Sequence, residues 1–187
     1  APHLHMPLQS GADPVLKRMR RWHTREQYRK RVLEIANRIS PLGLGADVIT
    51  GFPGETADDH AATYSLIKEL PFTYLHVFPF SPRDKTVAVG LPDRVPQRIA
   101  GERSQELRQM VNHKGLKYRT SRVGGMAEIV VEGRSGTGLT GDYLRIGLKG
   151  LTPERTGLSK RRFRGVLQGD GEHLYIEFPQ ESAAILG

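Results

Sequence analysis

With 187 residues, 28 Lys plus Arg against 20 Asp plus Glu and a formal net charge of +8, the chain is long enough for one sizeable core or two smaller units, and its charge favours a polyanionic partner. It holds no cysteine, which excludes disulfides, thiolate catalysis, zinc–thiolate sites and cysteine-ligated iron–sulfur clusters within this polypeptide. No apolar run approaches the roughly 18 residues of a membrane span, and Ala1 to Ser10 lacks the basic start and apolar core of a signal peptide, so a soluble cytoplasmic protein is the expectation.

Leu4 to Leu8 reads as a short apolar strand running into Gln9-Ser10-Gly11. Asp13 is placed to cap a helix with Pro14 in its first turn and Val15, Leu16, Met19 and Trp22 on its apolar side. Thr24 opens a second helix, with Gln27 completing a capping box, Tyr28, Val32, Ile35 and Ile39 as its apolar stripe and Ser40-Pro41 as its stop. The segment Gly45 to Thr56 is a buried strand, with a carboxylate at Asp47, that ends in a turn where Gly51, Pro53 and Gly54 let backbone approach a ligand. Thr56 caps the next helix, which carries Tyr64, Ile67 and Leu70; a strand from Tyr74 to Phe80 and a turn at Ser81 to Asp84 follow. Strand and helix alternate, which predicts parallel strands with helices over one face.

Pro96 to Tyr118 has the pattern of one long helix, with Ile99, Leu107, Met110 and Leu116 near helical spacing. Beyond Thr120 the texture changes to short β-type runs, Met126 to Val131, Tyr143 to Leu148, Phe163 to Leu167 and Leu174 to Phe178, as expected of a small all-β barrel. Gly133 to Gly141 and Lys149 to Ser159 read as loops. Two domains are therefore expected, 1–120 and 121–187. His3 and His5 alternate on one strand face, but no Asp, Glu or third His is near enough in sequence to complete ordinary coordination, so no metal site is expected. Ser10 has no base or orienting acid around it to make it a nucleophile.

Several blocks carry a resemblance: Pro7-Leu8-Gln9-Ser10-Gly11, Met19-Arg20-Arg21 before a Thr-initiated helix, Asp47 through Thr56, and Ser81-Pro82-Arg83, in that order and spacing. The chain resembles the carboxyl-terminal part of a radical S-adenosylmethionine tRNA methylthiotransferase. His76 to Arg83 and Val95-Pro96 to Ser104 are most similar to the branch acting on threonylcarbamoyladenosine; isopentenyladenosine tRNA or a ribosomal protein is the rival substrate, and a stand-alone RNA-binding module is the rival from another class. Ser121 to Phe178 resembles the TRAM domain, a five-stranded RNA-binding barrel. The resemblance implies an α/β fold: the last three strands of a partial (βα)6 radical SAM barrel, followed by TRAM. The family's cluster cysteines and amino-terminal domain are not in this sequence, so the [4Fe–4S] clusters belong to the full-length enzyme and this polypeptide alone is expected to be inactive. Leu4 to Leu8 would then lie against an absent strand.

On the same resemblance, Gln9 offers an amide to ribose hydroxyls, Arg21 a planar fork to the methionyl carboxylate, and Asp47 an acceptor for ribose, while Val77, Phe78 and Pro79 wall the adenine. Plainer roles stand beside these: a turn cap for Gln9, a salt-bridge carboxylate for Asp47, a solvated cation for Arg21, since Lys17 to Arg38 holds nine basic and two acidic residues. Lys160, Arg161, Arg162 and Arg164 surround Phe163 and offer a phosphate grip with a stacking ring, extended by Arg145 and Lys149 toward a tRNA anticodon stem-loop; the plainer reading is solubilising charge.

Overall fold

The structure, a computed structural model, describes residues 1–83, 86–132, 136–150 and 162–178. The chain divides into two compact units, Leu4–Lys114 and Gly115–Gly187 with Ala1–His3. The division falls within one long helix.

The first unit is built on a three-stranded sheet ordered β1 (His3–His5), β2 (Gly43–Thr50), β3 (Tyr74–Pro79). β2 and β3 are parallel, with Asp47 opposite His76 and Val48 opposite Val77. The first strand is shorter than Leu4 to Leu8 because Pro7 has no N–H to donate, yet the ladder resumes at Gln9, whose N–H donates to the Asp47 carbonyl (2.8 Å) and whose carbonyl accepts from Ile49 N–H (2.9 Å). Alternation decides the two faces of β2. Leu44, Ala46 and Val48 are fully buried in a core with Leu8, Tyr28, Val32, Leu66, Ile67, Phe72, Val77 and Leu107, whereas Asp47 and Ile49 belong to the opposite, partly open face.

Four helices follow from local signals: α1 (Asp13–Arg18), α2 (Arg25–Arg38), α3 (Ala57–Glu69) and α4 (Gln97–Ser121). The capping box expected at Thr24 is present, Gln27 N–H donating to Thr24 Oγ1 and Thr24 N–H to Gln27 Oε1, and a second box joins Thr56 to Asp59. Asp13 is not a cap. Ala12 holds that position, and the Asp13 carboxylate instead accepts from Arg25 N–H (2.6 Å) at the start of α2. Nor does α1 reach Trp22, because Arg20 turns left-handed (φ 55°) and closes the helix by bonds from Arg20 N–H to Lys17 O and Arg21 N–H to Leu16 O. Trp22 therefore leaves the helix and is 91% exposed. Lys114 closes the end of α3, its ammonium donating to the carbonyls of Ile67, Lys68 and Leu70 at 2.9, 2.7 and 2.6 Å; burial holds its pKa below the ordinary lysine range.

Among the described residues the second unit contains six strands: β4 (Met126–Glu132), β5 (Thr137–Thr140), β6 (Arg145–Lys149), β7 (Arg162–Val166), β8 (Gln168–Gly169) and β9 (Leu174–Glu177), in the order β7-β4-β5-β6-β9-β8. Every pair is antiparallel except β6 with β9. The sheet curls on itself, so that a side chain at Gly165 would meet Ile176 Cγ2 at 2.6 Å. Ala127, Ile129, Val131, Ile146, Phe163 and Ile176 fill its core. β5 arises where the glycines of the segment from Gly133 suggest a loop, with Gly138 and Thr140 buried and Thr137 and Leu139 on the half-buried face. Among the described residues no helix is long and apolar enough to cross a membrane.

Candidate functional site

At the end of the first strand Gln9 takes a left-handed backbone conformation (φ 69°), uncommon for a residue with a side chain. It is 8% exposed, and no side chain or backbone group among the described residues hydrogen-bonds its amide. The amide atoms are not sealed from solvent, so water or a ligand can satisfy them. Gln9 and Arg21 line one cavity of about 200 Å³, together with Met19, Ile49, Phe52 and Leu91. Arg21 reaches it because the left-handed turn at Arg20 folds the chain back over the end of α1.

Asp47, expected in the same pocket, is not part of this cavity lining. One of its carboxylate oxygens lies 3.2 Å from His5 Nε2 and the other 3.2 Å from His76 Nδ1. The Asp47 charge is nonetheless felt nearby: burial first, and this carboxylate second, push the Tyr28 hydroxyl above its ordinary pKa while it donates to the Met6 carbonyl. The three residues expected to wall the adenine divide between two faces. Val77 is buried in the helix-side core, while Phe78 and Pro79 are exposed and line no part of the Gln9 cavity. Strand alternation is the reason, because consecutive residues of β3 cannot face one side.

The glycine turn serves the protein itself. A Cβ at Gly51 (φ 72°) would stand 2.3 Å from Ala100 Cβ, so the space left by the missing side chain is taken by α4. Gly51 N–H donates to Glu55 Oε2 (2.5 Å), and that oxygen pairs with Arg103 Nη1 (2.7 Å).

In the β unit the expected cations fall on two surfaces. Arg162 and Arg164 are exposed on β7, and Arg164 Nε and Nη2 both donate to Glu128 Oε1 (3.0 and 2.6 Å), which holds the Glu128 carboxyl below the usual carboxylate range. Phe163 between them is 2% exposed and meets Phe178 edge-on, so it stacks no base. Lys160 and Arg161 lie outside the described residues. Arg145 and Lys149 stand on β6, three strands along the sheet order from β7. They border a cavity of about 700 Å³ with Arg119, Thr137, His173 and Tyr175. Lys149 Nζ sits 3.5 Å over the Tyr175 ring, and this ring, unremarked in the sequence, is the aromatic platform of the surface. The alternation of Leu174-Tyr175-Ile176 was its available signal.

His76 is the other residue of note that the sequence does not single out. Its register opposite Asp47 joins it to His5, and one ligand atom from each of the three lies within 4.8 Å of the others.

Comparison with known proteins now bears on these surfaces. The chain is 38% identical over 186 residues to the threonylcarbamoyladenosine tRNA methylthiotransferase MtaB of Treponema pallidum, covering 100% of this chain and 36% of the relative. It is 44% identical over 132 residues to the tRNA-2-methylthio-N(6)-dimethylallyladenosine synthase of Sorangium cellulosum, covering 71% of this chain and 26% of the relative. To the MtaB protein of Bacillus subtilis it is 36% identical over 156 residues, 79% of this chain and 35% of the relative. No protein-family model matches the chain. It thus spans between about a quarter and about a third of the length of these curated relatives. Matched along its whole length at 38% identity to one of these proteins, and over 71% and 79% of it to the other two, the chain belongs to the tRNA methylthiotransferase family.

Proposed function

We propose that the chain is the carboxyl-terminal portion of a cytoplasmic radical S-adenosylmethionine enzyme that methylthiolates N6-threonylcarbamoyladenosine next to the anticodon of tRNA. The observation that carries this reading is the 38% identity over 186 residues to a threonylcarbamoyladenosine methylthiotransferase, which takes in both units. The shorter 44% match to a dimethylallyladenosine synthase keeps isopentenyladenosine tRNA as the second substrate reading.

The Gln9 amide without a protein partner and the Arg21 guanidinium suit the polar end of S-adenosylmethionine, one as a two-way hydrogen-bonding group and the other as a carboxylate fork. Bound there, the cofactor would supply the methyl group and the radical chemistry of the family. A [4Fe–4S] cluster does not fit this chain, which has no cysteine to ligate it, so the 187 residues alone are read as inactive. Titration calorimetry with S-adenosylhomocysteine is expected to show binding that weakens at least about tenfold in Gln9→Ala and in Arg21→Met, the loss of one well-made polar contact. Unchanged affinity in both variants would remove the pocket from the proposal.

The β unit is read as the tRNA grip, with Tyr175 stacking a base and Lys149 and Arg145 contacting phosphate. The affinity for an anticodon stem-loop should fall linearly on a log–log plot against salt. Each of Arg145→Gln and Lys149→Gln should shallow that slope by about 0.7, as for one phosphate contact to a single strand. RNA binding with no nucleoside binding by the same protein would favour the stand-alone module.

A further inference from the structure

The open face of the three-stranded sheet carries a cluster that the proposed function does not use. His5 comes from β1, Asp47 from β2 and His76 from β3, so each side chain rests on a different strand of one parallel sheet. His5 Nε2 and His76 Nδ1 both face the Asp47 carboxylate at 3.2 Å. We propose that His5, Asp47 and His76 form a binding site for a divalent first-row transition ion such as Zn2+ or Co2+.

Three features support a metal rather than a plain hydrogen-bonded trio. Two imidazole nitrogens and one carboxylate oxygen are the donor set of Zn2+, Co2+ or Fe2+ and not of Mg2+ or Ca2+, which take oxygen ligands. Around an ion with bonds of about 2.0–2.2 Å, tetrahedral ligands stand roughly 3.4 Å apart. With either carboxylate oxygen as the ligand one separation is already 3.2 Å, and the other two, within 4.8 Å, can close by rotation of His76, whose side chain is 56% exposed. The same exposure leaves a coordination position open to water or substrate.

The second feature is an outer partner. Tyr74 Oη lies 3.2 Å from His5 Nδ1, the ring nitrogen turned away from Asp47. A phenol both donates and accepts, so its oxygen can accept a hydrogen bond from Nδ1–H when Nε2 gives its lone pair to a metal, as the outer partners of metal-bound histidines do. The third is the space made for that phenol. Tyr74 pairs with Gly45, and any Cβ there would fall 2.0 Å from Tyr74 Cζ; only the bare backbone of β2 lets the ring lie across it toward His5.

The test is direct titration of the metal-free 187-residue chain with Co2+ and Zn2+. The expected results are one Co2+ per chain with the visible d–d absorption of a low-coordinate ion, and a Zn2+ affinity, read by competition with a chromophoric chelator, that falls at least about 100-fold in His5→Gln/His76→Gln. Tyr74→Phe should weaken Zn2+ about 10- to 100-fold without removing a ligand. Circular dichroism of the metal-free variants reports whether they remain folded. Absence of a stoichiometric ion in the unaltered chain would overturn the proposal, as would equal affinity in the folded double variant, which would place the ion elsewhere on the chain. The site stands on the sheet geometry alone, so either result leaves the S-adenosylhomocysteine test untouched.

Discussion

Arg103→Met is expected to destabilise the first unit by about 3–5 kcal/mol, the cost of breaking a buried ion pair from one side. The Glu55 side chain is 1% exposed and that of Arg103 13%, so water cannot replace the guanidinium that reaches Glu55 Oε2 at 2.7 Å and the Glu55 carbonyl at 3.2 Å. What remains for the carboxylate is the Gly51 N–H. Loss of the pair also loosens the turn between β2 and α3, because Gly51 is held by Glu55 on one side and pressed against Ala100 on the other. Urea unfolding of the chain measures the loss. Adding Glu55→Gln to Arg103→Met should recover at least half of it, since an amide still accepts from Gly51 without carrying a buried charge. A double variant as unstable as the single one would show that Arg103 acts through packing instead.

Asp142→Ala should cost the β unit a similar amount, about 3–5 kcal/mol, and should remove a stability loss in acid that the unaltered chain displays. The Asp142 side chain is 2% exposed, and its Oδ2 accepts from Tyr118 Oη (2.7 Å) and Arg122 Nε (2.8 Å). Burial alone would raise its pKa, but the bonds from Tyr118, Thr140 and Arg122 together with the Arg122 charge outweigh it and hold the carboxyl below its ordinary range. With a folded pKa below the unfolded value of about 3.9, the group contributes stability that is complete above that value and is lost as pH falls through the folded pKa. Thermal unfolding should therefore decline below about pH 4, and the decline should be shallower in Asp142→Asn. Tyr118→Phe, which removes one donor to the charge, should cost about 1.5–3 kcal/mol. A pH profile identical in the variant and the unaltered chain would assign the acid response to other carboxylates.

Legibility in the sequence varied with the range of the interaction. The capping box at Thr24, the apolar stripe Tyr28 and Val32 and the parallel strands around Asp47 and Val77 follow from residues within a few positions of one another, where local backbone preferences suffice. The end of α1 was missed because a Schellman closure at Arg20 uses a non-glycine left-handed residue, which leaves no mark in composition. The pocket was legible in part. Gln9 and Arg21 meet, but Asp47 and Val77 do not join them, since a strand sends alternate side chains to opposite faces and a residue two places along can belong to another cluster. Phe163 illustrates the same limit: its basic neighbours suggest a surface ring, and the core claims it.

The order of amino acids by itself determined the charge, the absence of thiolate ligands, the helix starts and the membership in a tRNA methylthiotransferase family, because each of these is a property of composition or of a short contiguous pattern. Only the tertiary structure decided that Asp47 faces two imidazoles, that Glu55 is neutralised by Arg103, and that Lys149 covers Tyr175. These partners lie tens of residues apart, and what brings them within hydrogen-bonding or ring-contact distance is the register of the strands and the burial of one sheet face, which no local pattern encodes.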